Sequence, residues 1–157
     1  MFNDKFRGRD YITILDYTRE EVETILNFAD ELKKKFKAGQ PHKYLEDRTL
    51  FMIFYNQSLR TRNSFEAGMT QLGGHAHFLD PNKIYTPALE GEEVAYSTER
   101  ISDVARVLDR MGHGIAIRMY GDPVGWENGK ANRIVREFAR CAERVPVINK
   151  ELKKPEL

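Results

Sequence analysis

The chain contains 157 residues, with 25 Lys and Arg against 24 Asp and Glu, so its formal net charge is +1. This balance excludes a generic nucleic-acid-binding protein, which carries a surplus of basic side chains. Hydrophobic residues make up 41% and charged residues 31% of the chain, which is typical of one globular domain able to bury a core.

Cysteine content and hydropathy exclude further classes of protein. The single cysteine, Cys141, rules out an internal disulfide and a cysteine-based zinc site. No apolar run approaches the roughly 20 residues of a membrane span, and residues 1–14 lack the apolar middle of a signal peptide. We therefore expect a cytoplasmic protein whose partners include neither a membrane nor a nucleic acid.

The first two predicted elements are a helix over residues 18–38 and a strand over residues 49–55. Thr18 and Glu21 have the spacing of a capping box, and apolar residues recur at helical spacing from Val22 onward. The continuous apolar run of the second element is typical of a strand that is buried on both faces, as in a parallel sheet.

Helices and strands alternate through the rest of the chain. The same criteria predict, in order, a helix over 58–72, a strand over 75–79, a polar loop over 80–97, a helix over 98–111, a strand over 114–119, a helix over 128–142 and a strand over 145–148. This order predicts an α/β domain with a parallel four-stranded sheet and helices on both faces. Ligands of such sheets bind at the carboxyl ends of the strands, so we expect the functional residues there.

The carboxyl end of the first strand holds the strongest functional pattern. Residues 55–66 have the sequence Y-N-Q-S-L-R-T-R-N-S-F-E, so a buried strand runs directly into a helix start that bears hydroxyls and guanidiniums. Helix starts present N–H groups and a partial positive charge, which bind phosphate. Ser58 and Thr61 add hydroxyl donors, and Arg60 adds a planar, permanently charged fork. The segment is therefore predicted to bind a phosphate-bearing anion.

Two other interpretations compete with this one. In the first, Ser58 caps the helix and the arginines are solvated side chains on its surface. In the second, the chain is a nucleotide-binding protein with a P-loop. That interpretation is disfavoured because no G-x-x-x-x-G-K-[ST] motif is present, and because Gly73 and Gly74 follow a helix instead of preceding one.

The pattern S-x-R-T-R at residues 58–62, followed by S-F-E and Q-L-G-G, resembles the aspartate and ornithine carbamoyltransferases. Residues 103–108 resemble the D-T-A-R-V-L segment of that family, with Val104 in place of Thr, and residues 145–149 resemble its last strand before an interdomain helix. The resemblance covers residues 10–149 and is strongest toward the ornithine and N-acylornithine branch. It implies a carbamoyl-phosphate-binding N-terminal domain that uses no metal or cofactor.

The resemblance also implies roles for individual residues. The groups implied to hold the phosphate of carbamoyl phosphate, or free phosphate, lie in one turn: Ser58, the Leu59 N–H, Arg60 and Thr61. Arg62 matches the last arginine of the motif, which supports the turn beside the bound ligand. Arg118 matches an arginine that contacts the carbamoyl group, which makes Arg60 and Arg118 the predicted catalytic residues.

The predicted polar loop is a second candidate for function. In the family, the corresponding loop crosses to a neighbouring subunit of a homotrimer and completes that subunit's site. The resemblance therefore implies that Lys83, Tyr85 and Ser97 act at a neighbour's site, and the alternative is that they are ordinary loop residues.

Residues 1–149 are predicted to form the domain, and residues 150–157 a charged tail in place of the family's interdomain helix. That helix bears a His-Pro-x-Gln motif, which the chain lacks, as it lacks the family's amino-acid-binding domain. Because transfer requires two positioned reactants, we expect ligand binding with little or no turnover, and whether the chain acts as an enzyme stays open. The alternative is a truncated, engineered homotrimeric scaffold or assembly subunit without catalytic function.

Overall fold

The computed structural model describes residues 4–150, so the predicted tail lies outside the described residues from residue 151 onward. The regular elements follow each other in this order: α1 (Arg19–Lys37), β1 (Thr49–Phe54), α2 (Arg60–Gln71), β2 (His75–Leu79), β3 (Thr86–Ala88), β4 (Thr98–Arg100), α3 (Ile101–Met111), β5 (Gly114–Arg118), α4 (Lys130–Cys141) and β6 (Val147–Asn149). Short 3₁₀ helices occur at Asp4–Phe6, Ile14–Asp16 and Asp122–Val124. The alternation of helices and strands that the sequence predicts is confirmed outside the segment between β2 and α3, where the structure adds the short strands β3 and β4.

One four-stranded parallel sheet, in the order β2-β1-β5-β6, forms the centre of the domain. β1 lies between β2 and β5, and all its residues after Thr49 are buried, as expected for a strand that is covered on both faces. The register sets Phe54 of β1 opposite Arg118 of β5, so that both strands end at the same edge of the sheet. The predicted fold class is confirmed.

Helices cover both faces of this sheet. On one face, α3 and α4 pack against the sheet through the fully buried side chains of Ile101, Val135 and Phe138. On the other face, Met69 of α2 lies in a second apolar cluster with Met52 of β1. The buried positions of α3 and α4 agree with the prediction, because helical spacing places them on one side of each helix.

The segment before α3 differs from the prediction. Residues 98–100, predicted as the first turn of a helix, instead form β4, which pairs in parallel with β3 inside the predicted loop. The Thr86 N–H donates to the Ser97 carbonyl at 3.1 Å, and Thr86 lies opposite Thr98 in the register. This pairing joins two separate stretches of the loop, whereas helical periodicity reports only on residues within a turn or two of each other.

α1 forms where the sequence predicts it, but its apolar stripe stays outside the core. Thr18 and Glu21 form the predicted capping box. Leu26, however, is 60% exposed, and within residues 4–150 no side chain of α1 belongs to either buried apolar cluster. Phe28 contacts Tyr44 with 5.9 Å between ring centroids, so the helix rests on the segment that joins it to β1. Periodicity therefore predicts the helix without predicting how deeply its stripe is buried.

The capping box also makes the stability of the chain depend on pH. The Thr18 N–H and the Arg9 guanidinium both donate to the Glu21 carboxylate, and these bonds lower its pKa from 4.5 to about 2. A carboxylate with a lowered pKa stabilises the folded chain fully above about pH 4.5 and loses that contribution as the pH falls toward 2. We therefore expect Glu21→Gln to reduce the free energy of unfolding more at neutral pH than at a pH near 2, where the Glu21 carboxylate becomes protonated.

Urea titrations of both proteins over a series of pH values measure this difference. The exposed Glu23, which pairs with Arg19 at 2.8 Å, supplies the control variant Glu23→Gln. Because an exposed ion pair contributes little, we expect a small effect of this control at every pH. A Glu21→Gln effect of the same size at neutral and acidic pH would contradict the prediction.

Candidate anion-binding site

The turn from β1 into α2 presents the start of a helix at the carboxyl edge of the sheet. α2 begins at Arg60, and its N-cap residue, Leu59, makes no side-chain hydrogen bond to the first turn. Ser58 is therefore not the N-cap residue that the first alternative interpretation expects, although the exposed Arg60 agrees with the solvated arginines of that interpretation. Because the first N–H groups of a helix have no partner within the helix, those of this turn are available to an anion.

Arg118 reaches this turn from the neighbouring strand. As the last residue of β5, it directs Nη1 at the Ser58 hydroxyl, 2.5 Å away, and at the Thr61 hydroxyl, 3.5 Å away. In both contacts the guanidinium donates and the hydroxyl oxygen accepts. A hydroxyl that accepts in this way keeps its own hydrogen for another acceptor. Arg118 thus leaves Ser58 and Thr61 free to donate to a bound anion.

Two residues outside the predicted set, Asn56 and Tyr120, also belong to this arrangement. The Tyr120 hydroxyl accepts a hydrogen bond from Arg118 Nη2 at 3.0 Å. Asn56 Nδ2 donates to the Tyr120 carbonyl at 3.0 Å, and Asn56 Oδ1 accepts from the Tyr120 N–H at 2.9 Å. Each residue lies two positions beyond the end of its strand, after Phe54 and after Arg118. That position, at the carboxyl ends of adjacent parallel strands, is the sequence signal that identifies both.

The two arginines of the turn have different surroundings. Arg62 Nε pairs with Glu66 at 2.8 Å, and its guanidinium carbon lies 3.7 Å from the centre of the Phe78 ring. The charge of Arg62 is thus compensated by α2 itself and by stacking on β2. The Arg60 side chain is exposed and makes no hydrogen bond or ion pair with another side chain of residues 4–150. Arg60 is therefore the arginine of the turn whose charge is available to an incoming anion.

The three candidates for a neighbour's site lie on the loop between β2 and β4. Lys83, Tyr85 and Ser97 are all exposed, and Lys83 Nζ lies 3.9 Å from the Asp80 carboxylate. Among the described residues, their side chains make no hydrogen bond to the turn between β1 and α2. Their role at the site of a neighbouring subunit stays a prediction.

A half-buried tyrosine, Tyr55, ties this loop to the end of β1. The Tyr55 hydroxyl donates to the Pro87 carbonyl at 3.1 Å, while the Tyr55 N–H donates to the Arg118 carbonyl at 2.9 Å. Burial raises the pKa of the Tyr55 phenol far above its ordinary value, so the hydroxyl keeps its proton and remains a donor. β3 is thereby held beside the candidate site.

Two cavities lie at opposite edges of the sheet. The smaller, of about 370 Å³, opens at the carboxyl edge beside Tyr120, Trp126 and Asn149. The larger, of about 990 Å³, lies at the amino edge beside Leu50 and Gly114. Because ligands of open α/β sheets bind at the carboxyl ends of the strands, the larger cavity is not the candidate site.

Metal-ligand clusters and membrane-spanning helices are both absent from the described part of the chain. Between residues 4 and 150, no three His, Cys, Asp or Glu side chains come together in a way that could hold a metal ion. Over the same residues, no helix combines the length and the apolar character that a bilayer crossing requires.

The fold and the turn together define a parallel α/β domain in which a helix begins at the carboxyl edge of the sheet, beside Arg118 of the neighbouring strand. The chain belongs to the family described as "Aspartate/ornithine carbamoyltransferase, carbamoyl-P binding domain", which matches residues 9–155. The resemblance identified from the S-x-R-T-R pattern is thereby confirmed.

Similar proteins include ornithine carbamoyltransferases. The enzyme of Halalkalibacterium halodurans is 46% identical over 143 residues, which cover 91% of this chain and 39% of that protein. The enzyme of Thermococcus kodakarensis is 41% identical over 142 residues, which cover 90% of this chain and 39% of that protein. These relatives support the ornithine branch of the family. The chain spans about two fifths of their length, since it covers 39% of each.

Solved structures of the family have the same fold. Ornithine carbamoyltransferase from Pyrococcus furiosus is 40% identical with a TM-score of 0.74, over 92% of this chain and 40% of that chain. A mutant N-acetyl-L-ornithine transcarbamylase, crystallised with carbamyl phosphate and N-succinyl-L-norvaline, is 31% identical with a TM-score of 0.76. That match covers 91% of this chain and 42% of the other.

Proposed function

We propose that the chain binds carbamoyl phosphate, with the phosphate at the start of α2 and the carbamoyl group toward Arg118. The observation that carries this proposal is the bridge from Arg118 Nη1 to the hydroxyls of Ser58 and Thr61 at a helix start without a side-chain cap. Membership of the carbamoyl-P binding family and the presence of carbamyl phosphate in a related transcarbamylase structure support the same ligand.

In this proposal, three kinds of donor surround the phosphate. The N–H groups of the first turn of α2 and the hydroxyls of Ser58 and Thr61 are neutral donors, and the Arg60 guanidinium adds charge-assisted hydrogen bonds. When an amine attacks the carbamoyl carbon, negative charge accumulates on the departing phosphate. Donors fixed in place before the reaction stabilise that charge without reorganisation, and they need neither a metal ion nor a covalent nucleophile.

For the 157-residue chain assayed alone, we expect binding with little or no carbamoyl transfer. Transfer requires the acceptor amine to be positioned against the carbamoyl carbon. The family resemblance assigns that task to an amino-acid-binding domain and to a His-Pro-x-Gln motif, and these 157 residues contain neither.

Titration calorimetry with carbamoyl phosphate tests the proposed function. We expect saturable binding that inorganic phosphate competes away and that weakens with rising salt, because charged donors hold the ligand. The change Arg60→Ala is expected to lower the affinity at least tenfold, since a hydrogen bond from a charged group contributes about 1.5–3 kcal/mol.

The matched control is Arg19→Ala, which removes an arginine that is 92% exposed at the start of α1. We expect this control to bind carbamoyl phosphate as tightly as the original chain does. The proposal is wrong if the original chain gives no saturable heat, or if Arg60→Ala binds with unchanged affinity.

A further inference from the structure

A side-chain amide joins the turn after β1 to the chain beyond β5. Asn56 makes both hydrogen bonds to the backbone of Tyr120, with Nδ2 donating and Oδ1 accepting. We propose that Asn56 is a positioning residue, which sets the place of the Arg118 guanidinium relative to the start of α2. The inference rests on the proposed function and adds to it a residue that does not itself touch the ligand.

The pairing of β1 with β5 explains why a side-chain amide is needed at residue 56. The last backbone bond between them runs from the Tyr55 N–H to the Arg118 carbonyl, at 2.9 Å. After Tyr55, the chain leaves β1 and turns toward α2. The N–H and carbonyl of Tyr120, two residues beyond the end of β5, therefore cannot continue the backbone pairing with β1. The Asn56 side chain carries the same donor and acceptor as a peptide group and takes the place of the departed strand.

Together with Tyr55, Asn56 fixes the backbone at Arg118 and just after it. The Arg118 carbonyl is bound by Tyr55, and the backbone two residues later is bound by Asn56. Tyr120 also accepts from Arg118 Nη2 through its hydroxyl at 3.0 Å. Moving the Tyr120 backbone therefore moves the acceptor that orients the guanidinium. A long arginine side chain that is ordered before binding loses less entropy when the ligand arrives, which raises affinity.

The chemistry of the pair calls for a side-chain amide. The backbone N–H can only donate and the carbonyl can only accept, so the partner must offer one acceptor and one donor at a fixed spacing. An aspartate offers two acceptors, and it would set a negative charge beside the anion site. Serine is too short to bond both backbone groups, and alanine bonds neither of them.

A ligand-free measurement tests the positioning directly. In ¹⁵N NMR spectra of the 157-residue chain, we expect Asn56→Ala to speed solvent exchange of the Arg118 side-chain N–H groups several-fold. The Arg62 signals serve as the internal reference, because its contacts with Glu66 and Phe78 do not involve Asn56. Unchanged Arg118 exchange would overturn the proposal, as would equal acceleration at both arginines, because that reports general loosening of the structure.

Binding provides the second readout. By titration calorimetry, Asn56→Ala is expected to lower the affinity for carbamoyl phosphate about tenfold, equivalent to about 1.4 kcal/mol. The control Gln57→Ala removes the neighbouring exposed side chain and is expected to change neither readout. If Asn56→Ala does not fold, Asn56→Ser takes its place under the same criteria.

The outcomes separate this proposal from the proposed function. If the original chain binds no carbamoyl phosphate, the proposed function fails, and the Arg118 exchange rates alone decide whether Asn56 positions the guanidinium. If the original chain binds and Asn56→Ala binds equally well, the positioning proposal fails while the proposed function stands. Faster Arg118 exchange together with a tenfold weaker affinity supports both.

Discussion

Replacing Arg118 by alanine is expected to weaken carbamoyl phosphate binding about a hundredfold, which corresponds to about 2.7 kcal/mol. The change removes a charged donor and also the hydrogen bonds that orient the hydroxyls of Ser58 and Thr61. Hydrogen bonds from charged groups contribute about 1.5–3 kcal/mol each, so the combined effect exceeds that of removing Arg60 alone. Titration calorimetry of Arg118→Ala beside the original chain measures it.

Two further variants separate charge from geometry at this position. Arg118→Lys keeps the positive charge but cannot offer the planar fork that serves Ser58 and Tyr120 together, so we expect an intermediate affinity. Arg110→Ala removes an exposed arginine at the opposite edge of the sheet, and its affinity should equal that of the original chain. If the Arg118→Ala protein is folded and binds carbamoyl phosphate with undiminished affinity, Arg118 does not contribute to ligand binding and the prediction is wrong.

The largest expected effect on stability comes from Phe138 on α4. Its side chain is 0% exposed and lies in the cluster between α4 and the sheet, so Phe138→Ala leaves a cavity that neighbouring side chains fill only in part. Such a change costs about 3–5 kcal/mol, a large share of the 5–15 kcal/mol by which a domain of this size is usually stable. Urea titration followed by circular dichroism measures the loss.

The matched control for this prediction is Phe36→Ala on α1. Phe36 is 51% exposed, and its ring contacts His42 edge-on with 5.8 Å between centroids. Its removal is expected to cost less than about 1 kcal/mol, because it creates no internal cavity. Equal losses in the two variants would show that the face of the sheet beneath α4 is not the main core of the domain.

Local spacing accounts for most of what the sequence predicts correctly. The capping box of Thr18 and Glu21 forms as expected because both residues lie within one helical turn. The buried positions of α3 and α4 follow from their period, and β1 follows from an unbroken apolar run. The pairing of β3 with β4 is missed, since short strands of mixed polarity carry no such signal.

The apolar stripe of α1, which stays outside the core, illustrates a different limit of prediction from sequence. Leu26 recurs at the spacing of a core-facing residue, yet it is 60% exposed. Periodicity shows which side chains share a face of a helix, whereas burial depends on whether another element packs against that face. Whether another element packs against a helix face depends on the whole fold, so the spacing of residues within one helix cannot predict it.

The sequence by itself determined the order of the main helices and of the four central strands, and the turn from Ser58 to Arg62, because each of these depends on neighbouring residues. Only the tertiary structure decided that Arg118 bonds to Ser58 and that Asn56 pairs with Tyr120. These partners are 60 and 64 positions apart, and they meet because β5 returns to lie directly beside β1. Which side chains converge at the edge of a sheet depends on strand order, and strand order results from packing the whole chain at once.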